Sequence, residues 1–291
     1  MLSETPKVKS LKQLDVPQDM AQGFARLDAE AFPVFEKGWV WLVGAGPGAP
    51  GLMSLLCYHG MQNCDVVVYD ALVNRDILRW VPSGTELEHA GKRGGKPSPI
   101  QRDISLRLIE LARSGKRVLR LKGGDPFMFG RGGEESQTLA KAGIPFRIVP
   151  GITAGVGGLA YAGIPATHRD TNHSVMFLTG HDATGKMPVN VNWQAVALAS
   201  PVIVMYMAVK NLGEIATALM AGGRKGDDPV TIISNASLPL QQVSETTLAK
   251  AGAFVAAHEP PTPAIVVVGH ASDWRAMLDW YSPEMRANPI G

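Results

Sequence analysis

At 291 residues with 45% apolar side chains, the chain has room for two modest domains and can bury a substantial core. Its 28 Lys plus Arg nearly balance 26 Asp plus Glu, and a net charge of +2 argues against nucleic acid or an anionic membrane as principal partner, so any anion site must be local. Cys57 and Cys64 are separated by about two turns, or about 10 Å, along one predicted helix; that is too far for a disulfide, and both read as packing residues in a reducing compartment.

Residues 1–37 are rich in charged and small residues without sustained periodicity and are expected to form a mobile extension or short cap. Lys7, Lys9 and Lys12 are not followed by the apolar stretch that a secretory signal requires. The longest apolar run, 202–209, falls far short of the roughly 20 residues that span a bilayer, so a soluble cytoplasmic protein is the expectation. From Trp39 the pattern changes. Segments 39–43, 66–69, 117–121 and 147–149 read as short buried strands bounded by Gly, Pro or Asp. Between them, Ile104, Leu108, Leu111 and Ala112 recur at helical spacing within 100–113. Strands alternating with helices imply a parallel sheet covered on both sides.

After the Pro150-Gly151 turn, a helix-like stretch at 153–162 and a loop at 163–171 lead into a second alternation, with strands at 174–179, 202–206, 230–233, 241–245 and 264–268. Leu212, Ile215, Ala216, Leu219 and Met220 form the stripe of a helix that Gly222-Gly223 ends. The expected fold is therefore α/β, with an N-terminal α/β domain at 38–150 carrying a parallel sheet and a C-terminal α/β domain at 151–291. No internal repeat of fixed period is present.

Gly44-Ala45-Gly46-Pro47-Gly48 follows the first strand directly, where an α/β sheet receives nucleotide-like ligands. It lacks G-x-G-x-x-G spacing, and Pro47 removes an amide that would cradle a phosphate. A ligand loop and a plain strand-to-helix turn are both open. Asp70 ends the second strand and should face the same crevice. As a ribose-binding acid it would suit a nicotinamide-dependent oxidoreductase.

The density of glycine in Leu121-Lys122-Gly123-Gly124-Asp125-Pro126 and Gly130-Arg131-Gly132-Gly133-Glu134-Glu135 exceeds what an ordinary loop needs. Together with Val43 to Gly48, Val68-Tyr69-Asp70, Gly91-Lys92-Arg93, Val149-Pro150-Gly151-Ile152-Thr153-Ala154 and Gly163-Ile164-Pro165-Ala166-Thr167-His168-Arg169, this ordered series closely resembles the uroporphyrinogen-III C-methyltransferases, S-adenosylmethionine-dependent tetrapyrrole methyltransferases. The resemblance runs from about residue 40 to about residue 269. Ala49 departs from a usual acid and Ala166 from a bulkier apolar residue, and 1–37 has no counterpart.

The resemblance implies a homodimer whose subunits fold S-adenosylmethionine into the cleft between two α/β domains. It implies two successive methyl transfers that convert uroporphyrinogen III to precorrin-2 for sirohaem or cobalamin synthesis and release S-adenosylhomocysteine. Pro47, the backbone of Gly123, Gly124 and Asp125, then Met128, Thr153, Ala154, Met207, Ala236 and Ala264 are implied to contact the cofactor. Core packing is the competing reading for Met128 and Met207. Asp70 matches the position of a proton acceptor and Lys92 that of a proton donor; a helix-capping acid and a solvated lysine are the alternatives.

Uroporphyrinogen's carboxylates call for local cations, with Arg93, Arg131, His168 and Arg169 as candidates beside Lys96. The glycines flanking Arg131 should leave its side chain free to reach a ligand. His168 has no second histidine or cysteine at metal-ligand spacing, so no metal site is expected. A downstream precorrin C-methyltransferase, a nicotinamide-dependent oxidoreductase and a non-catalytic tetrapyrrole carrier are the competing functions.

Overall fold

Ten strands in the described residues form two five-stranded sheets, one after the other along the chain. The computed structural model describes residues 32–90 and 101–287, and both sheets lie in one unit beginning at Glu36.

The first sheet holds β1 (Val40–Gly44), β2 (Val66–Tyr69), β3 (Glu86–His89), β4 (Val118–Lys122) and β5 (Phe146–Val149) in the order β3-β2-β4-β1-β5. Every pairing is parallel. Parallel neighbours require crossovers, which here include α1 (Leu55–Asn63), α2 (Arg75–Leu78), α3 (Gln101–Arg113) and α4 (Gly132–Lys141). These helices cover both faces, which is why β1 is buried at every position. On one face, Leu108, Leu111 and Leu139 of α3 and α4 pack against Val40, Leu42, Val66 and Val68. On the other, α1 approaches so closely that a Cβ on Gly60 would lie 3.0 Å from Leu119 and 3.1 Å from Trp41. Ser54 caps α1 by accepting from the Cys57 amide at 3.1 Å. Cys57 and Cys64 are buried free thiols, and burial pushes each up to about 12.

The strand β3 has no buried apolar run in the sequence because it is the sheet's edge, half covered at most, with Leu87 itself exposed. The other four strands fall within a residue of their expected positions. Because the sheet is parallel, the loops after β1, β2, β4 and β5 all leave from its carboxyl edge.

The chain then forms α5 (Ala154–Tyr161) and a second sheet of β6 (Val175–Thr179), β7 (Val202–Tyr206), β8 (Pro229–Ser234), β9 (Gln242–Thr247) and β10 (Ala264–Val268), ordered β6-β7-β10-β8-β9. Only β6 and β7 pair parallel; the remaining neighbours are antiparallel. Residues 235–241 join β8 to β9 without a helix, too short a connection for a parallel crossover. The helices α6 (Trp193–Ala199), α7 (Leu212–Ala221) and α8 (Ala251–His258) cover one face through a core that includes Leu212, Ile215, Leu219, Ile232 and Val266. Leu159 of α5 and the following Ile164 pack on the opposite face against Val204, Ile233 and Val267. No helix among the described residues is long and apolar enough to cross a membrane.

Candidate functional site

Three loops at the carboxyl edge of the first sheet meet backbone to backbone. Gly46 donates to the Gly124 carbonyl at 3.2 Å and accepts from the Gly124 amide at 2.7 Å. A Cβ on Gly44 would lie 2.5 Å from the Gly124 oxygen, and one on Gly151 only 2.3 Å from it. Close backbone approach by itself requires glycine at both positions. Asp125 ties the arrangement together: one carboxylate oxygen accepts from the Phe127 amide at 2.8 Å and the other from Gly151 at 3.0 Å.

Beside this clasp lies a cavity of about 640 Å³. Its walls come from the loops of the first sheet, the start of α5 and the β7, β8 and β10 ends of the second sheet. Tyr206 joins the two sides. Its hydroxyl hydrogen-bonds Thr153 Oγ1 at 2.6 Å and accepts from the Gly155 amide at 2.8 Å. A Cβ on Gly155 would collide with that hydroxyl at 2.4 Å, so the absence of a side chain lets Tyr206 reach the helix start. Burial raises the Tyr206 pKa above its ordinary value, against the lowering effect of both hydrogen bonds. The Phe129 ring packs on Tyr206 with centroids 4.7 Å apart. Phe129, Arg131 and Met207 line the cavity with left-handed backbones, at φ 53°, 59° and 54°, and Asn235 and Ser237 flank the lining residue Ala236 in the same conformation.

A buried ionic cluster underlies one wall. Arg120 and Lys122 point from β4 to the same side; they are 1% and 3% exposed, and Glu135 on α4 is fully buried. Arg120 bonds both Asp70 and Glu135, the latter at 3.1 Å. Lys122 Nζ lies 3.3 Å from Asp70 and 3.2 Å from Glu135. Asp70, Arg120 and Lys122 all reach the cavity.

Of the ten residues implied to contact a cofactor, Pro47, Gly123, Gly124, Met128 and Thr153 line this cavity, as do Ala154, Met207, Ala236 and Ala264. Asp125 does not, being engaged within the clasp. Arg131 lines the cavity too, but its side chain is not free as the flanking glycines suggested. Its guanidinium forks onto Glu134 at 3.1 and 2.7 Å and holds that carboxyl below its usual range. His168 and Arg169 are not part of the cavity lining: His168 stacks on Trp274 with centroids 4.1 Å apart, and Arg169 is exposed. Lys92, Arg93 and Lys96 lie outside the described residues.

Sequence reasoning missed Tyr206, Arg120, Lys122 and Glu135, and also His181 and Lys210 on the cavity's second-sheet side. One signal was available: Val-Leu-Arg-Leu-Lys puts two cations at alternate positions of a strand expected to be buried on both faces.

The profile of the tetrapyrrole (corrin/porphyrin) methylases matches residues 40–252, and the chain belongs to that family. A uroporphyrinogen-III C-methyltransferase from Sinorhizobium sp is 64% identical over 248 residues, 85% of this chain and 89% of that protein. The siroheme synthase of Zymomonas mobilis is 44% identical over 85% of this chain but only 52% of its own length, so the chain spans about half of that relative. Among solved structures, uroporphyrin-III C-methyl transferase from Thermus thermophilus complexed with S-adenyl homocysteine superposes with a TM-score of 0.70 at 33% identity, covering 80% of this chain and 98% of that one. A cobalt precorrin-4 methyltransferase shares the fold, with a TM-score of 0.72 at 24% identity over 84% of this chain and 99% of its own.

Proposed function

We propose that this protein C-methylates uroporphyrinogen III with S-adenosylmethionine as donor, in two successive transfers that give precorrin-2. The observation that carries the reading is the convergence on one cavity of nine residues that the family resemblance implies as cofactor contacts. That cavity falls within the size range of small-molecule sites. Its walls suit a nucleoside with an amino-acid tail: Gly123, Gly124, Ala154, Ala236 and Ala264 leave the backbone accessible, and Met128 and Met207 add adaptable apolar surface. The identity of the Sinorhizobium relative supports the substrate, and the ligand of the Thermus structure supports the cofactor.

When bound, S-adenosylmethionine supplies an electrophilic methyl that passes to a ring carbon by direct displacement. The chain's work is to align the reactants and exclude water. Phe129, Tyr206 and Met207 present apolar surface at the cavity, while Tyr206 holds the start of α5. Methylation leaves a cationic ring that must lose a proton, and Asp70, with 28% of its side chain exposed at the cavity wall, is the carboxylate available to take it. Lys92 as proton donor and Arg93, Arg131, His168 and Arg169 as carboxylate contacts belong to the same proposal. Arg131 must exchange Glu134 for a substrate carboxylate. A homodimeric, cytoplasmic enzyme feeding sirohaem or cobalamin synthesis completes the reading, on the strength of the resemblance.

The test is incubation with labelled S-adenosylmethionine and anaerobically prepared uroporphyrinogen III, followed by mass spectrometry. Two added methyl groups are expected. No incorporation, with activity on a later corrinoid, would assign the protein a downstream step. Calorimetric binding of NAD with none of S-adenosylhomocysteine would instead favour an oxidoreductase.

A further inference from the structure

We propose that Glu135 is a positioning residue, acting through Arg120 and Lys122 to fix the Asp70 carboxylate at the cavity wall. The inference rests on the functional reading above only for the consequence in turnover; the geometry stands by itself.

Glu135 is fully buried and is not among the residues that line the cavity. Its Oε1 accepts from Arg120 Nε and Nη2 at 3.2 and 3.1 Å and from Lys122 Nζ at 3.2 Å. The same two cations continue to Asp70, one to each carboxylate oxygen: Arg120 Nη2 to Oδ1, and Lys122 Nζ to Oδ2 at 3.3 Å. Among the described residues, each of the two cations thus bridges both carboxylates. Arg120 is further held by the Val68 carbonyl at 3.3 Å. Each carboxylate oxygen has a second lone pair, so the clamp orients Asp70 without exhausting its capacity to accept a proton.

Stability is a poor explanation for this arrangement. Burying charges is costly, and apolar replacements of similar volume are often neutral or stabilising. Three of the four groups are nearly or wholly sealed, and the only one substantially open faces the site. Removing Glu135's charge would leave two buried cations competing for a single carboxylate. Asp70 would be pulled toward them and lose its defined position.

The test compares wild type with Glu135→Gln, Glu135→Gln/Lys122→Met, Asp70→Asn and Asp70→Asn/Glu135→Gln, by crystal structure, melting temperature, S-adenosylhomocysteine affinity and single-turnover methyl transfer. In Glu135→Gln, the Asp70 carboxylate should move or occupy several conformers. Transfer should fall about tenfold or more, a fraction of a typical acid–base contribution, while cofactor affinity stays within about threefold. Adding Lys122→Met restores charge balance and should recover melting temperature but not transfer, because Asp70 has lost its lysine. In the Asp70→Asn background, Glu135→Gln should cost less than about twofold, since coupled residues do not add.

An unmoved Asp70 carboxylate in Glu135→Gln, or the same fold-loss with and without Asp70, overturns the proposal. If Glu135→Gln does not fold, Glu135→Asp, which keeps the charge but shortens its reach to Arg120 and Lys122, carries the same structural and kinetic comparisons with and without Asp70. Wild-type protein inert toward uroporphyrinogen III would overturn the functional reading alone, and the crystallographic comparison would still decide the positioning role.

Discussion

Gly46 and Gly124 form an antiparallel bridge of their own, each donating to the other's carbonyl, between the loops that follow β1 and β4. The cavity therefore starts from a backbone-to-backbone contact, on which the side chains around it depend. Gly44 and Gly151 press against the same carbonyl and have no room for a methyl group, while Gly124 between them holds a left-handed backbone at φ 65°.

Gly44→Ala places a Cβ within 2.7 Å of three backbone atoms, none of which can retreat as a side chain would. Overpacking of this kind costs about 1–3 kcal/mol. A drop of several degrees in melting temperature follows, at about 2–4 °C per kcal/mol for a domain of this size, and binding of S-adenosylhomocysteine should weaken with it. Calorimetry reads both. An alanine variant with unchanged melting temperature and affinity would mean that the loops separate freely.

Asp70→Asn should lower turnover at least about tenfold, below the roughly hundredfold minimum of a general-base contribution, with cofactor affinity little altered. Charge reversal at Arg131 should instead raise the Michaelis constant for the tetrapyrrole. Steady-state kinetics distinguishes them. Unaltered turnover in Asp70→Asn would reduce that residue to a structural role.

Tyr206→Phe removes the acceptor of the Gly155 amide and the partner of Thr153 Oγ1. A buried donor left unsatisfied costs about 1–3 kcal/mol. Because Thr153 and Ala154 line the cavity, part of that loss should appear as cofactor affinity weakened by about tenfold. Titration with S-adenosylhomocysteine tests it; an unchanged dissociation constant would detach Tyr206 from cofactor binding.

The two thiols set an alkaline limit on stability. Cys57 and Cys64 ordinarily titrate at 9.0 but are pushed to about 12 in the folded chain, chiefly by burial. Between those values the unfolded chain loses protons that the folded one keeps, so stability falls as pH rises. Their contribution is fully present below pH 9.0 and is lost on the way to about 12. Urea midpoints at a series of pH values should show this decline, and Cys57→Ala should flatten it. Native protein at neutral pH should also resist a thiol reagent that labels both cysteines once it is unfolded.

Much of the fold is legible in the sequence because β1 and β2 are covered on both faces and write themselves as apolar runs, and β4 keeps that character at Val118, Leu119 and Leu121. The edge strand β3 has only half-buried side chains at best and leaves no such trace. The parallel-to-antiparallel change in the second sheet is equally silent in periodicity; it is fixed by which connections contain a helix. At the site, the glycine series marks where backbones touch, and that part reads well. Tyr206 looks like one more apolar residue in Val-Ile-Val-Met-Tyr, and its role depends on Gly155, distant in sequence. Arg131 misleads for the opposite reason: its glycine neighbours suggest freedom, but one helical turn onward Glu134 holds it.

Phe129, Arg131 and Met207 each keep a bulky side chain on a backbone that glycine would adopt without strain. Left-handed conformations of this kind cost of order 1–3 kcal/mol each. Selection for heat tolerance would therefore be drawn to glycine at these three positions, while selection for turnover would hold on to the ring, the guanidinium and the thioether that face the cavity. The rim of the site is where a thermostable descendant and an active one should diverge.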